Sequence, residues 1–452
     1  MKNIFKGARI ALIAVFLGLS FSLNSCFFDW GSSSSDKDST EVKDYVDLFM
    51  KQYYYWADQM PSSIIKKGKR VNDYFESHLV ARDRWSWMMN GQSYNDMETG
   101  TSTGSYGFHI GQPIDYYNDY GVFIKYVDKE SPLAKAGVTR GYQLTHIAGT
   151  EVRTLIQNDR FYDEIDKPSN SFTFKDTKGG SITLDLSQTT FHSNSVTASG
   201  VFTASDYEFL SKSAKVGYIL YTTFNSNMKN EITSVLSQMK GQGITDLILD
   251  LRYNGGGDLS LCVDIASLLA PASADGKTFV TLSHNLANQK EDQSYTIKRT
   301  SNSLDLKRLF IITGEGTASA SESMVNCLTP YMDVQTVGGQ TYGKPNGMYV
   351  FVYPQKAKGA NIDYAFLPIC FYCKNVDGKA DYDNGIAPKN KRYDDLYHDF
   401  SAQEDLISAC LYYIANGSYP GLPDISSTTK ATTSTGKEIF LSDGFKGAYI
   451  KK

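Results

Sequence analysis

Two apolar, strand-like runs flank an amphipathic helix near the middle of this 452-residue chain, and this pattern constrains the fold most. The runs are residues 216–222 and 247–251, and Ile232, Leu236 and Met239 mark the helix between them by their spacing of three to four residues. A strand, a helix and a second strand of this kind form a βαβ unit, which favours a right-handed crossover and parallel pairing. The sequence therefore predicts an α/β core.

Residues 309–347 continue this pattern with a strand, a glycine turn, a helix that begins near Ser319, another strand and a loop that contains Lys344. A serine hydroxyl becomes an effective nucleophile when a base takes its proton, and the N–H groups at a helix N-terminus suit a developing oxyanion. A buried, neutral lysine can be that base. Two alternatives remain at this point: Ser319 could only form a capping box with Glu322, and Lys344 could simply be solvated.

A glycine-rich turn, residues 250–257, follows the strand at 247–251 and precedes a predicted helix at 258–269. Such turns can bind phosphate, but this one lacks the Lys-Ser/Thr of a P-loop and the spacing of a dinucleotide loop. Its three glycines permit positive φ angles and a close approach of the backbone to a substrate carbonyl. We interpret Arg252 and Asn254 as residues that hold the turn.

The sequence TASASE around Ser319 and the sequence GQTYGK that ends at Lys344, twenty-five positions later, form a specific pair of motifs. The pair resembles that of the C-terminal processing (tail-specific) peptidases, which are S41-type serine proteases. The resemblance implies a crotonase-like α/β core with a Ser/Lys dyad: Ser319 as the nucleophile, Lys344 as the general base and the Ala320 N–H in the oxyanion hole. The glycine-rich turn would supply the second oxyanion amide, from Gly256 or alternatively from Gly257.

Two positions depart from the family pattern. Some relatives place a Gln four residues after the lysine, where this chain has Met348. Glu322 could assist the lysine instead, or it could only cap the helix, so a third catalytic residue stays open. The segment 383–388 resembles the closing element G-I-x-P-D of the family, with Lys389 where Asp is common.

Residues 98–190 predict a β-rich domain, because the segment has short strands and many glycines. The sequence Tyr106-Gly107-Phe108 resembles the carboxylate-binding loop of PDZ domains, and residues 131–144 are similar to the PDZ pattern SPAAxAGLxxGDxI. The resemblance implies that an extended peptide adds a strand and that the amides of Tyr106, Gly107 and Phe108 hold its C-terminal carboxylate. The alternative is a PDZ-like domain that only regulates access to the active site.

Residues 1–25 have the pattern of a targeting segment, with basic residues first and an apolar stretch at 10–23. The ending Leu-Asn-Ser-Cys resembles a bacterial lipoprotein signal, which implies cleavage before Cys26 and a lipid on its sulfur. The alternative is an ordinary secretory signal. Residues 26–40 predict a flexible, polar tether. We therefore expect a lipid-anchored protein of the bacterial cell envelope.

Three further segments complete the predicted multidomain α+β organisation. Residues 41–97 predict a small helical domain with many aromatic side chains. Residues 191–424 predict the α/β protease core, with a last helix at 395–414. Residues 425–452 are rich in Ser and Thr and predict a loose tail.

Charge and cysteine content exclude other classes of function. The net charge of −4 gives no basic excess, so we expect no nucleic-acid partner. Cys370 and Cys373 form a CxxC, but they lie in a β-like run without a second CxxC, which argues against redox or zinc chemistry. Cys262, Cys327 and Cys410 lie in apolar helical patterns and are predicted to be buried. The six histidines have no ligand spacing, so we expect no metal and no cofactor.

The sequence thus favours a serine endopeptidase that acts on proteins or peptides with a free C-terminus. One alternative is a catalytically inactive, PDZ-type peptide-binding lipoprotein whose protease core has decayed. A serine hydrolase of the S-x-x-K type fits less well, because the third residue after Ser319 is Glu322 rather than lysine.

Overall fold

The computed structural model describes residues 40–111, 121–421 and 447–450. The predicted targeting segment, Cys26 and most of the tether lie outside the described residues, as does the greater part of the C-terminal tail. Among the helices of the described residues, none has the length and apolar character needed to cross a membrane.

The first region, up to Thr99, is mainly helical. It contains α1 (Thr40–Tyr53), α2 (Val71–Glu76), β1 (Trp87–Asn90) and α3 (Gly91–Thr99). β1 is a strand within the segment 41–97 that is predicted to be helical, because it pairs antiparallel with residues 364–367 of the core. Apolar side chains from this region and from residues 348–369 form one shared hydrophobic cluster. The region therefore packs onto the core instead of folding around a core of its own.

The second region is the β-rich part of the chain, as the sequence predicts. Its elements are β2 (Thr101–Ser105), β3 (Phe108–Gly111), β4 (Val122–Val127), α4 (Pro132–Lys135), β5 (Gln143–Ile147), β6 (Thr150–Glu151), α5 (Val152–Gln157), α6 (Phe161–Ile165), β7 (Ser169–Lys175), β8 (Ser181–Ser187) and β9 (Thr189–His192). The main sheet has the order β3-β4-β5-β7-β8, with β6 paired to β5. β3 therefore lies at an end of this sheet within the described residues. The region has its own hydrophobic cluster.

The third region is a mixed α/β core. Its elements are β10 (Val196–Phe202), β11 (Val216–Tyr221), α7 (Lys229–Gln242), β12 (Asp246–Asp250), β13 (Gly256–Asp258), α8 (Leu259–Leu269), β14 (Thr278–His284), β15 (Gln293–Thr296), β16 (Arg308–Thr313), α9 (Ala320–Leu328), β17 (Asp333–Gly338), β18 (Asn346–Tyr349), β19 (Phe351–Tyr353), β20 (Tyr364–Leu367), β21 (Ile369–Lys374), β22 (Asn390–Lys391) and α10 (Asp405–Asn416). β11 and β12 pair in parallel around α7, so the predicted βαβ unit is present.

The central sheet of the core has the order β10-β11-β12-β16-β17-β22 and is covered on both faces. Leu309 and Ile311 of β16 pack into a cluster with α7, α8 and α9, whereas Phe310 and Ile312 pack into a cluster with α10. Successive side chains of a strand point to opposite faces, so a strand with apolar residues at every position must lie between two layers. This burial explains the continuous apolar runs in the sequence.

Two sequence-based predictions at the end of the core differ from the structure, each over part of its range. The predicted helix at 395–414 begins only at Asp405, where the Glu404 carboxylate caps it by accepting a hydrogen bond from the Ile407 N–H at 2.9 Å. Residues Gly447–Ile450 form a strand, β23, in the segment predicted to be a loose tail. β23 joins a second sheet of the core, with the order β13-β23-β18-β21-β14-β15.

A buried group of charges joins the β-rich region to the core. Arg140 of the β-rich region lies 2.9 Å from Asp394, and Arg252 lies 2.8 Å from the same carboxylate and 2.6 Å from Glu404. Arg252 also pairs with Asp250 at the end of β12. The ion pairs hold the turn after β12, which agrees with the structural role predicted for Arg252.

We predict that Arg140→Met lowers the urea midpoint of unfolding strongly. Removal of one partner from a buried ion pair costs about 3–5 kcal/mol, and the exposed fraction of the Arg140 side chain is only 2%. Arg160→Met is the matched control, because Arg160 pairs with Glu164 while its side chain is 57% exposed, and exposed pairs contribute about 0–1 kcal/mol. Equal shifts of the midpoint in the two variants would contradict the prediction.

Candidate active site

Ser319 lies at the start of α9, directly after the turn that follows β16. It is the N-cap residue, with φ +58° and ψ −107°, and only 1% of it is exposed. A positive φ is rare for residues other than glycine and is kept only where the surroundings impose it. Ala320 is the first helical residue, so its N–H has no carbonyl partner within the helix. Ser319 thus lies at a helix start with the Ala320 N–H beside it, and their roles as nucleophile and oxyanion donor stay predictions.

The Glu322 carboxylate joins the serine to the lysine loop. Its Oε2 atom accepts hydrogen bonds from the backbone N–H of Ser319 at 2.7 Å and from that of Lys344 at 2.8 Å. Its Oε1 atom accepts from the Thr341 hydroxyl at 2.5 Å and from the Gly343 N–H at 2.7 Å. One oxygen atom thus holds the backbones of both predicted catalytic residues. Glu322 therefore both caps α9 and holds the lysine loop, and a part for it in catalysis stays a prediction.

Lys344 is buried, which decides its protonation. Only 1% of the residue is exposed, and burial lowers the pKa of its amine to about 7, against the opposing effect of the Asp83 and Glu322 carboxylates. Its Nζ atom donates to the Met348 thioether at 3.4 Å. A thioether is a weak acceptor, so this contact adds little stability to the ammonium form. The amine is therefore available as a base near neutral pH.

The first region of the chain fixes the lysine loop from outside. The Trp85 indole N–H donates to the Gly343 carbonyl at 3.0 Å, and an Arg84 guanidinium N–H donates to the same oxygen at 3.0 Å. The predicted small helical domain with many aromatic side chains did not include this role. No sequence signal identifies it, because each contact spans more than 250 residues.

The glycine-rich turn after β12 lies against the start of α9. The Asn254 carbonyl accepts hydrogen bonds from the Ala318 N–H at 3.1 Å and from the Ser321 hydroxyl at 2.9 Å. The Asn254 side chain accepts from the Gly256 N–H at 2.9 Å, so an oxyanion bound at Gly256 would share that amide with Asn254.

Gly257 has φ +133° and a Cβ there would lie 2.3 Å from the Phe224 carbonyl oxygen, so this position requires glycine. The choice between the two glycines as the oxyanion donor stays a prediction.

The other predicted site residues lie elsewhere. Tyr106, Gly107 and Phe108 belong to the β-rich region, where Phe108 begins β3 and the Gly107 N–H donates to the Ser105 hydroxyl at 3.0 Å. The five cysteines of the described residues form no disulfide and are buried, which includes the three that were predicted to be buried. No cluster of metal-ligating side chains occurs within the described ranges. Cys26 lies outside them.

Comparisons with known proteins find related sequences and a related fold. Residues 215–366 match the family model described as peptidase family S41, and residues 41–87 match the model of the peptidase S41 N-terminal domain. Ser319, Glu322 and Lys344 all fall within the first match. A crystal structure from Bacteroides fragilis, provisionally assigned to the S41 proteases, superposes with a TM-score of 0.66 over 82% of this chain and 97% of that chain, at 22% identity. This likeness shows a shared fold.

Curated relatives match over parts of their length. A carboxyl-terminal-processing protease of Synechocystis sp. is 34% identical over 129 residues, which are 28% of this chain and 28% of that protein. A Staphylococcus epidermidis protein named "Probable CtpA-like serine protease" is 24% identical over 320 residues, which are 70% of this chain and 59% of that protein. The matched residues thus span between 28% and 59% of the length of these relatives.

We predict that Lys344→Met stabilises the chain most at pH 7 and below. The lysine has a pKa near 10.5 when unfolded and about 7 when folded, so between these values the unfolded state holds a proton that the folded state lacks. Wild-type stability therefore rises with pH in this window, by up to about 1.4 kcal/mol per pH unit, whereas the variant lacks this contribution. Urea unfolding from pH 6 to 10 measures the difference.

The control for this experiment is Ser319→Ala, which removes no amine. Its stability difference from the wild type should stay constant over the same pH range. If the gain in the free energy of unfolding of Lys344→Met over the wild type does not shrink as the pH rises, the folded lysine keeps an ordinary pKa.

We also predict that Gly343→Ala destabilises the lysine loop. Gly343 has φ +86°, and an added Cβ would lie 2.3 Å from the Asp383 carbonyl oxygen. Gly378→Ala is the matched control, because Gly378 has φ +76° but no atom within 4 Å of an added Cβ. Thermal unfolding should show a larger loss for Gly343→Ala than the ~1 kcal/mol that a non-glycine residue costs in this conformation. Equal losses would refute a collision at Gly343.

Proposed function

Because the chain belongs to peptidase family S41, we propose that it is a serine endopeptidase that cleaves proteins or peptides engaged near their C-terminus. The observation that carries this proposal is the buried Glu322 carboxylate, which holds the backbones of Ser319 and Lys344 on one oxygen atom. The buried Lys344 amine, with its pKa lowered to about 7, supplies the base.

The proposed reaction uses a Ser/Lys dyad. The neutral Lys344 amine takes the proton of the Ser319 hydroxyl as its oxygen attacks the peptide carbonyl carbon. The Ala320 N–H and one amide of the glycine-rich turn hold the oxyanion of the tetrahedral intermediate. The Lys344 ammonium then gives its proton to the leaving amine, and water, activated by the same lysine, hydrolyses the acyl-enzyme.

The β-rich region is proposed to be a PDZ-like domain that binds the substrate. Its strand β3 lies at the end of the sheet order, so an extended peptide could pair with it, as in β-augmentation. Tyr106 and Gly107 precede this strand and Phe108 begins it. We propose that their amides hold the terminal carboxylate, for which the Gly107 N–H would exchange its hydrogen bond to the Ser105 hydroxyl. The alternative, a domain that only controls access to Ser319, predicts activity without peptide binding to β3.

A second candidate function is peptide binding without catalysis. The observation that favours it is the Met348 thioether next to the Lys344 amine, where some relatives have Gln. A thioether orients an amine less strongly than an amide does. In either function we propose a lipid anchor at Cys26, which would place the substrates in the bacterial cell envelope.

We predict that the mature chain cleaves an unfolded protein such as reduced casein, with a rate that rises with pH through about 7. Only the neutral Lys344 can accept the serine proton, so activity should increase as the ammonium loses its proton. Ser319→Ala and Lys344→Ala should each lower the rate by about 10³-fold or more. Gel electrophoresis and mass spectrometry of the products measure the cleavage rate of each chain from pH 5 to 9.

Equal cleavage by the wild type and both variants would mean that the activity comes from another site or from a contaminant. Peptide binding without cleavage by any of the three would favour the non-catalytic candidate.

A further inference from the structure

The C-terminal strand β23 lies between two strands that border the active site. Gly447–Ile450 pairs in parallel with β13 on one side and with β18 on the other. In this register Ala448 lies opposite Gly257 on the first side and opposite Gly347 on the second. A segment distant in sequence from both neighbours therefore completes the sheet there.

Both neighbouring strands begin at residues of the candidate site. β13 starts at Gly256, in the turn predicted to supply an oxyanion amide. β18 starts at Asn346, two residues after Lys344, and the Asn346 carbonyl accepts a hydrogen bond from the Ser319 hydroxyl at 3.4 Å. Gly447 pairs with Gly256 itself, so the C-terminal strand starts opposite the turn that is predicted to supply an oxyanion amide.

The space between β13 and β18 is a slot for one extended peptide. Neighbouring strands lie about 4.8 Å apart, so two strands with a third between them lie about 9.6 Å apart. Each facing edge offers backbone N–H and C=O groups. Backbone pairing of this kind binds an extended segment with little demand on its sequence. The slot therefore suits many polypeptide segments, and residues 447–450 of the same chain are one of them.

We infer that residues 447–450 are an intramolecular ligand of this slot and compete there with peptides supplied from outside. The inference rests on the proposed function, because it takes the slot beside Ser319 as the place where a substrate strand lies. A ligand joined to its site by the same chain has an effective concentration on the order of millimolar, so weak pairing is enough to keep the slot occupied. The C-terminal strand then restrains the enzyme, and a protein substrate must displace it.

A binding experiment tests this inference without using catalysis. The probe is a fluorescein-labelled peptide with the sequence of residues 443–452, DGFKGAYIKK. It is titrated against Ser319→Ala, which cannot cleave it, and against the same variant with Ala448→Pro. Proline lacks the N–H that a strand paired on both edges needs, so Ala448→Pro should release β23 from the slot. Thr432→Pro, in the same tail outside the strand, is the matched control.

The labelled peptide should bind the Ser319→Ala/Ala448→Pro chain at least ten times more tightly than Ser319→Ala alone or with Thr432→Pro. Equal affinity for all three chains would overturn the inference. Loss of the cooperative thermal transition in Ala448→Pro would also overturn it, because β23 would then be a fixed part of the fold. A chain that ends at Lys446 repeats the test without proline.

Casein cleavage by the chains with an intact Ser319 separates this inference from the proposed function. Faster cleavage by Ala448→Pro than by the wild type and Thr432→Pro supports both. No cleavage by any chain, together with the expected difference in peptide affinity, would refute the proposed peptidase and keep the ligand role of β23. Equal cleavage by all chains with equal peptide affinity would keep the peptidase and refute the ligand role.

Discussion

The buried carboxylate of Glu322 is the contact on which the active-site geometry depends. A carboxylate that is buried away from water needs hydrogen-bond donors from the protein. Glu322 accepts hydrogen bonds from four donors, which belong to Ser319, Thr341, Gly343 and Lys344. Burial raises the pKa of Glu322, while these hydrogen bonds favour its ionised form. The need to satisfy one buried charge thus brings the start of α9 and the lysine loop together.

Two buried basic side chains, Arg252 and Lys344, show how the neighbouring groups decide whether a side chain is protonated. Arg252 lies among the Asp250, Asp394 and Glu404 carboxylates, so it remains charged and fixes the turn after β12. Lys344 donates to a thioether, and burial lowers its pKa to about 7. The same depth of burial therefore gives a structural ion-pair network in one place and a candidate general base in the other.

The strand slot beside Ser319 follows from the way the second sheet of the core is built. β13 and β18 are both short, and glycines at Gly256, Gly257 and Gly347 keep side chains away from part of their length. Unpaired strand edges tend to bind whatever extended segment reaches them. Pairing with residues 447–450 satisfies these two edges.

The sequence by itself determined the features that depend on neighbouring residues. The periodicity around α7 gave a βαβ unit, and the motifs placed Ser319 at a helix start and Lys344 in a glycine-bracketed loop, which is where the structure has them. Only the tertiary structure decided the strand nature of Trp87–Asn90 and Gly447–Ile450 and the contacts of Trp85 and Arg84 with Gly343. The physical reason is that these features come from hydrogen bonds between segments far apart in the chain. Helix periodicity and capping act within a few residues, whereas a short strand of this kind forms only where a distant partner offers its backbone.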